Sequence, residues 1–186
     1  RNKLQFMEKR NMVFIAKSLD GYISDKNGGV DWLYSIPNPD NIDMGYSKFS
    51  EQIDAIVMGR LTFETVCGFD IEWPYKVPVF VLSRTLESIP TDYKDNAELI
   101  KGSLSEVLAI IHTKGHLRLY IDGGSTIQSF LKEDLIDDMT ITTMPILLGG
   151  GAPLFSELPK ELKFEHVASE VYLNEIVQDH YKRKRT

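Results

Sequence analysis

The chain holds a single cysteine, Cys67, among 186 residues. One thiol cannot close an internal disulfide, and with no C-x-x-C partner it offers neither a thiolate metal site nor a redox pair. Long apolar runs are also missing: nothing approaches the roughly 20 residues that a membrane-spanning helix needs. Residues 1–11 are polar and lack the apolar centre of a signal peptide, so a soluble, cytoplasmic protein is expected. Basic charge is scarce, with 21 Lys and Arg against 27 Asp and Glu and a formal net charge of −6. Four of those bases stand together at 182–185, and the remainder carries 17 basic against 27 acidic residues. Nucleic-acid binding rests on a positive footprint that such a body does not have. The basic tail itself reads as a solvated strand end or disordered terminus, or alternatively as a targeting or anion patch. Among the four histidines, His112 and His116 are spaced i, i+4. Gly115 falls between them and no carboxylate motif accompanies them, so no metal site is expected.

What is present is an ordinary globular balance, 42% hydrophobic and 26% charged, at a length that suits one domain. That domain is taken as 12–186, with 1–11 an N-terminal extension or residues foreign to it. Met12-Val-Phe-Ile-Ala16 reads as a buried strand, followed by a long Gly-, Asp-, Asn- and Pro-rich loop over 17–41. Apolar spacing predicts a helix over 43–53. Further strands are expected at 55–58, 77–82 (Pro78 confining it to an edge or a strand start), 97–100, 117–121 and 139–144. A short helix after Arg60, with Phe63, Val66 and Cys67 inward, should end at Gly68. Ser103-x-x-Glu106 and Ser125-x-x-Gln128 each match the capping box that opens a helix. Residues 162–168 and 171–181 read as an antiparallel hairpin. Strand–helix alternation then gives an α/β fold with a largely parallel sheet, made mixed by the final hairpin.

Chemistry is suggested at three strand ends. In Leu119-Tyr-Ile-Asp-Gly-Gly-Ser-Thr126 a strand gives way to two glycines and a helix N-terminus, whose free N–H groups and partial positive charge suit a phosphate. The alternative is a tight turn and a helix capped by Ser125. Met58-Gly-Arg60 places a guanidinium at a helix start, either an anion ligand or a solvated charge. Ser83-Arg84 repeats the pattern after the next strand. Ligands of open α/β sheets sit outside the carboxyl ends of strands, so the three ends together suggest a dinucleotide with an extra phosphate on its ribose. Neither G-x-G-x-x-G nor a Walker A loop is present. Trp73-Pro74-Tyr75 reads either as an aromatic turn packed on the sheet or as an edge of the cofactor site or a partner surface.

Five stretches carry a resemblance: Met12-Val-Phe-Ile-Ala-Lys-Ser-Leu-Asp-Gly-Tyr-Ile23, Met58-Gly-Arg-Leu-Thr-Phe-Glu64, Val79-Phe-Val-Leu-Ser-Arg84, Ile121-Asp-Gly-Gly-Ser-Thr126 and Leu147-Leu-Gly-Gly-Gly-Ala-Pro-Leu-Phe155. In this order they resemble the dihydrofolate reductase-like superfamily. Within it, the chain is most similar to the reductase domain of the bifunctional riboflavin-biosynthesis deaminase/reductase and its stand-alone bacterial relatives. The resemblance implies a three-layer fold and NADPH as hydride donor. It sets Ala16 and Ile23 beside the nicotinamide, Gly59, Arg60 and Thr62 on the phosphates, Ser83 and Arg84 near the adenosine 2′-phosphate, and Gly123, Gly124, Ser125 and Thr126 on the pyrophosphate. It also implies a homodimer.

On the substrate side the resemblance offers Asp43 as the catalytic carboxylate, with an ordinary helix N-cap as the alternative. Trp32 and Asp31 are offered as substrate-loop residues, with Asp20 a further acidic candidate. Loop 17–41 would act as a lid hinged at Gly28 and Gly29. The implied activity is hydride transfer to a C=N or C=O of a heterocycle of riboflavin-precursor aminouracil or pterin type. A non-catalytic NADPH-binding protein and a true dihydrofolate reductase are the alternatives. The sequence has no H-x-E and no P-C-x-x-C, the signature of zinc deaminase chemistry.

Overall fold

The computed structural model describes residues 8–185. Ten strands and four α-helices follow in chain order: β1 (Arg10–Ser18), β2 (Tyr22–Ser24), α1 (Tyr46–Ser50), β3 (Ala55–Gly59), α2 (Arg60–Cys67), β4 (Val79–Leu82), β5 (Ala97–Ile100), α3 (Leu104–Thr113), β6 (Arg118–Asp122), α4 (Gly124–Lys132), β7 (Asp138–Met144), β8 (Ala152–Pro153), β9 (Phe164–Tyr172) and β10 (Ile176–Arg183). Eight strands form one sheet in the order β5-β4-β3-β6-β1-β7-β10-β9. The first six of that order are parallel, and β10 joins β7 and β9 antiparallel. The short strands β2 and β8 pair as a separate ribbon.

The central strands read as unbroken apolar runs because both faces of the sheet are covered. On one face Ala55, Val57, Leu119 and Ile121 pack with Val107 and Ile111 of α3 and Ile127 and Phe130 of α4. On the other, Met12, Ile56, Met58 and Tyr120 meet Phe49 of α1 and Phe63 of α2. The result is the expected α/β fold of three layers, a mixed and mostly parallel sheet flanked by helices and closed by an antiparallel hairpin. Among the described residues no helix is long and apolar enough to cross a membrane.

Several boundaries move. Strand β1 opens at Arg10, pairing Arg10 with Arg118 and Asn11 with Leu119, so these two residues belong to the sheet rather than to an extension. The helix expected over 43–53 shrinks to α1, because Met44 and Gly45 adopt φ of 54° and 85° and cannot continue a right-handed helix. In α2 only Phe63 is buried, with Val66 and Cys67 half-buried. Pro78 stands just outside β4, which lies inside the sheet with β5 at its edge. The hairpin turns at Leu173 and Asn174, at φ of 54° and 64°, not at 169–170. With Glu175 they form a three-residue loop between the paired Tyr172 and Ile176, the Glu175 amide donating to the Tyr172 carbonyl at 3.1 Å.

The capping box of α3 is complete: Ser103 Oγ accepts from the Glu106 amide and Glu106 Oε1 accepts from the Ser103 amide at 2.8 Å. The second is absent. Helix α4 begins at Gly124 with Gly123 as its cap residue, so Ser125 lies inside the first turn, while Gln128 donates to the carbonyls of Pro153 and Leu154.

Candidate active site

The carboxyl ends of β3, β4 and β6 open into a cleft of about 670 Å³. It is lined by Gly59, Arg60, Thr62, Ser83, Arg84, Gly123, Gly124, Ser125 and Thr126, all of them marked from the sequence, and by Gly102, Ser103, Ser129 and Glu133, which were not. Both α2 and α4 start here, and neither has a side-chain cap. Their first amides therefore point at the cleft without a partner from a capping side chain, the arrangement that binds anions.

Glycine brings these two starts together. A Cβ on Gly59 would lie 2.8 Å from Thr126 Oγ1, and one on Gly123, at φ of 97°, would collide with Thr62 Oγ1. Arg60 reaches across the mouth, its Nε donating to Glu64 Oε2 at 2.8 Å and its Nη1 to Thr85 Oγ1 at 2.9 Å. The Ser83 hydroxyl accepts from the amides of Thr85 and Leu86, forming the turn that presents Arg84 and Thr85.

The β1–β6 ladder ends at Met12 opposite Tyr120, while β1 stays paired to β7 as far as Ser18. The sheet therefore loses its β1–β6 pairing toward their carboxyl ends, at the point where strand order reverses. Ala16 lies beyond that point and lines a second, mostly apolar cavity of about 450 Å³ with Phe14, Leu33, Asp43, Met44 and Thr142. Ile23 on β2 adjoins the first cleft: a Cβ on Gly124 would lie 2.6 Å from its Cδ1.

The substrate-side expectations fare differently. Asp43 lines the second cavity, but its carboxylate accepts from the amides of Gly45 (3.0 Å) and Ser47 (2.9 Å). Bonds from Ser47 and Gly45 hold its pKa below the usual carboxylate range, so it is ionised at neutral pH, and the cap position of α1 itself is taken by Gly45. Trp32 is buried against Met144 and Ile176 and donates Nε1–H to Gly29 O at 3.2 Å, which makes it a core residue. Asp31 is exposed and lines neither cavity. Gly28 and Gly29 are not an open hinge. Asp25 Oδ1 accepts from the amides of Asn27 and Gly29, and a Cβ on Gly29 would lie 2.8 Å from Asp25 Oδ2.

A carboxyl group that was not singled out is Asp122, the last residue of β6. Strand alternation turns it to the same face as Tyr120; burial raises the pKa of the Tyr46, Tyr75 and Tyr120 phenols, and the Asp122 carboxylate adds to each rise. The residue keeps some exposed surface, but desolvation dominates at its carboxyl. It pushes the pKa up to about 6 against the opposing bond from the Gly123 amide. The signal was available: a charged residue closing the apolar strand Leu119-Tyr-Ile121, directly before the two glycines.

The fold is of the dihydrofolate reductase-like kind, with the cleft at the carboxyl ends of β3, β4 and β6. The chain matches the RibD C-terminal domain family over residues 11–178, and it belongs to that family. It is 55% identical to a candidate riboflavin biosynthesis protein of Shewanella sp. PV-4, covering 95% of this chain and 99% of that one with a TM-score of 0.92. It is 33% identical to the uncharacterized protein YwjB of Bacillus subtilis strain 168, over 95% of this chain and 99% of YwjB. It shares its fold with the dihydrofolate reductase of Enterococcus faecalis complexed with NADP(H), at a TM-score of 0.65 and 16% identity, covering 95% and 97% of the two chains.

The raised pKa of Asp122 has a stability consequence. Between its ordinary value of 3.8 and about 6 the folded state binds a proton that the unfolded state does not, so stability falls as pH rises through that window. Asp122→Asn should therefore unfold at a higher temperature than the parent at pH 7.5, with the gap closing toward pH 4. Melting curves across pH read this directly, and a gap independent of pH would contradict it.

Proposed function

We propose that the chain is an NADPH-dependent reductase that delivers hydride to a C=N or C=O carbon of a heterocycle of riboflavin-precursor aminouracil or pterin type. The observation that carries this reading is the cleft between β3, β4 and β6, where two uncapped helix starts, a glycine cradle and two arginines converge. These groups fit a dinucleotide phosphate. The Gly123–Gly124 approach and the α4 amides suit the pyrophosphate, and Arg60 with Arg84 suits a 2′-phosphate. NADPH, when bound, supplies the hydride.

The chain's own work is positioning and proton delivery. Ala16 and the neighbouring apolar cavity would seat a flat ring beyond the end of the β1–β6 ladder. Asp122 lines neither cavity but stands at the end of β6, directly before the Gly123–Gly124 approach, and is the carboxyl that would hold the proton. With a pKa pushed up to about 6 it is partly protonated near neutrality, whereas Asp43 is not. The family and the riboflavin biosynthesis description of the Shewanella relative support the substrate class. The long β9, exposed along most of its length at the sheet edge, supports a homodimer.

Titration with NADPH and NADH comes first. Replacing Arg60 and Arg84 together by Ala should weaken NADPH at least tenfold more than NADH, and equal losses would remove the 2′-phosphate assignment. With a substrate from a panel of aminouracil ribosides and pterins, kcat should fall as pH rises above about 6, the pKa of Asp122. Asp122→Asn should lower kcat by about 10²-fold or more while leaving NADPH affinity within twofold. An unchanged kcat would assign the proton to another group. Light scattering across a concentration series should give twice the chain mass, and a monomer throughout would exclude the dimer.

A further inference from the structure

Asp20 belongs to neither cavity and takes no part in the reading above, yet it is heavily engaged. Its Oδ1 accepts from Ser18 Oγ at 2.6 Å and from the Leu148 amide at 3.0 Å, and its Oδ2 accepts from the Gly149 amide at 2.8 Å. These bonds, led by the one from Ser18, hold its pKa at about 2. Ser18 is fully buried, and its oxygen also accepts from the Tyr22 amide. The carboxylate thus clamps the 147–151 loop onto the turn between β1 and β2.

The clamp has a close-packed continuation. A Cβ on Gly151 would collide with Ser24 O, and one on Gly150 would lie 2.6 Å from Lys26 Cε. Past the glycines, β8 pairs with β2, and Leu154 N donates to Gly21 O at 2.9 Å. The β2–β8 ribbon then lies against the start of α4, through Ile23 beside Gly124 and through Gln128 on the Pro153 carbonyl.

We propose that Asp20 is a positioning residue that sets the wall of the cofactor cleft on its β1 side. The inference rests on the NADPH reading. If Arg60 and Arg84 hold the 2′-phosphate at the β3–β4 end and α4 holds the pyrophosphate, the remainder of the dinucleotide runs toward β1 and β2. The ribbon that Asp20 anchors meets the start of α4 and borders that half, away from Arg60 and Arg84.

The test compares NADPH with adenosine 2′,5′-bisphosphate, which has the 2′-phosphate but no nicotinamide half, on the full chain, Asp20→Ala and Asp20→Asn. Asp20→Ala should weaken NADPH at least tenfold and leave the bisphosphate within twofold. Asp20→Asn, which keeps one acceptor oxygen, should fall between. Amide hydrogen exchange should speed up in peptides covering 147–151 in both variants. Equal losses for the two ligands, or no loss for either, would overturn the positioning role while leaving the NADPH reading intact. Failure of the unaltered chain to bind either ligand would overturn the NADPH reading and this inference with it. Should Asp20→Ala not fold, Asp20→Asn with unchanged NADPH affinity and unchanged exchange at 147–151 would still refute the role.

Discussion

Gly59 ends β3 and Gly123 follows the last residue of β6, and each faces a threonine from the helix that follows the other. Thr126 occupies the space where a Gly59 side chain would be, and Thr62 that of Gly123. This reciprocal fit lets α2 and α4 start side by side with their first amides aimed into one cleft. Each helix end carries about half a positive charge, so the pair sets a locally positive field in a protein whose formal net charge is −6. A side chain at either glycine would force the helix starts apart, and the cleft would lose its floor.

The guanidinium at that cleft is not left loose. Arg60 is shared between Glu64 and Thr85, which fixes its plane across the gap between β3 and β4. The Arg60–Glu64 pair is half-exposed and contributes little to stability. Its effect is to orient the guanidinium in advance, at the expense of placing a carboxylate near an anion site. Pre-orientation reduces the side-chain entropy lost on binding a phosphate. Charge neutralised by Glu64 is compensated by the two helix ends, so neither element would suffice alone.

Much of this was legible in the sequence where the determinant is local. Buried parallel strands announce themselves as short apolar runs, and the Ser103 box closes as written because Ser103 and Glu106 need only each other. Ser125-x-x-Gln128 carries the same letters and fails, since two glycines upstream allow the helix to begin earlier and leave the serine inside its first turn. The cleft was legible because the residues that line it stand at strand ends. The substrate side was not, because its members are placed by tertiary contacts. Trp32 is drawn inward by Met144 and Ile176, more than a hundred residues away. Asp43 is consumed by amides that exist only because Gly45 takes a left-handed φ. Leu173 gives no turn signal, since an apolar residue seldom adopts its φ of 54°.

The two motifs that looked least alike, Ser18-Leu-Asp-Gly21 and Leu147-Leu-Gly-Gly-Gly151, turn out to be halves of one object. Asp20 takes the amides of Leu148 and Gly149, and directly after them Gly150 and Gly151, having no side chains, let the loop pass close to Lys26 and Ser24. Each half therefore explains the other's composition: the glycines are there for the approach, and the carboxylate for the amides that the approach exposes. A segment that composition alone presents as a mobile lid is instead held by Asp20 at its start and turned by Asp25 within it. The β2–β8 ribbon is therefore already in place against the start of α4, through Ile23 beside Gly124 and Gln128 on the Pro153 carbonyl, and needs no closing movement to reach it.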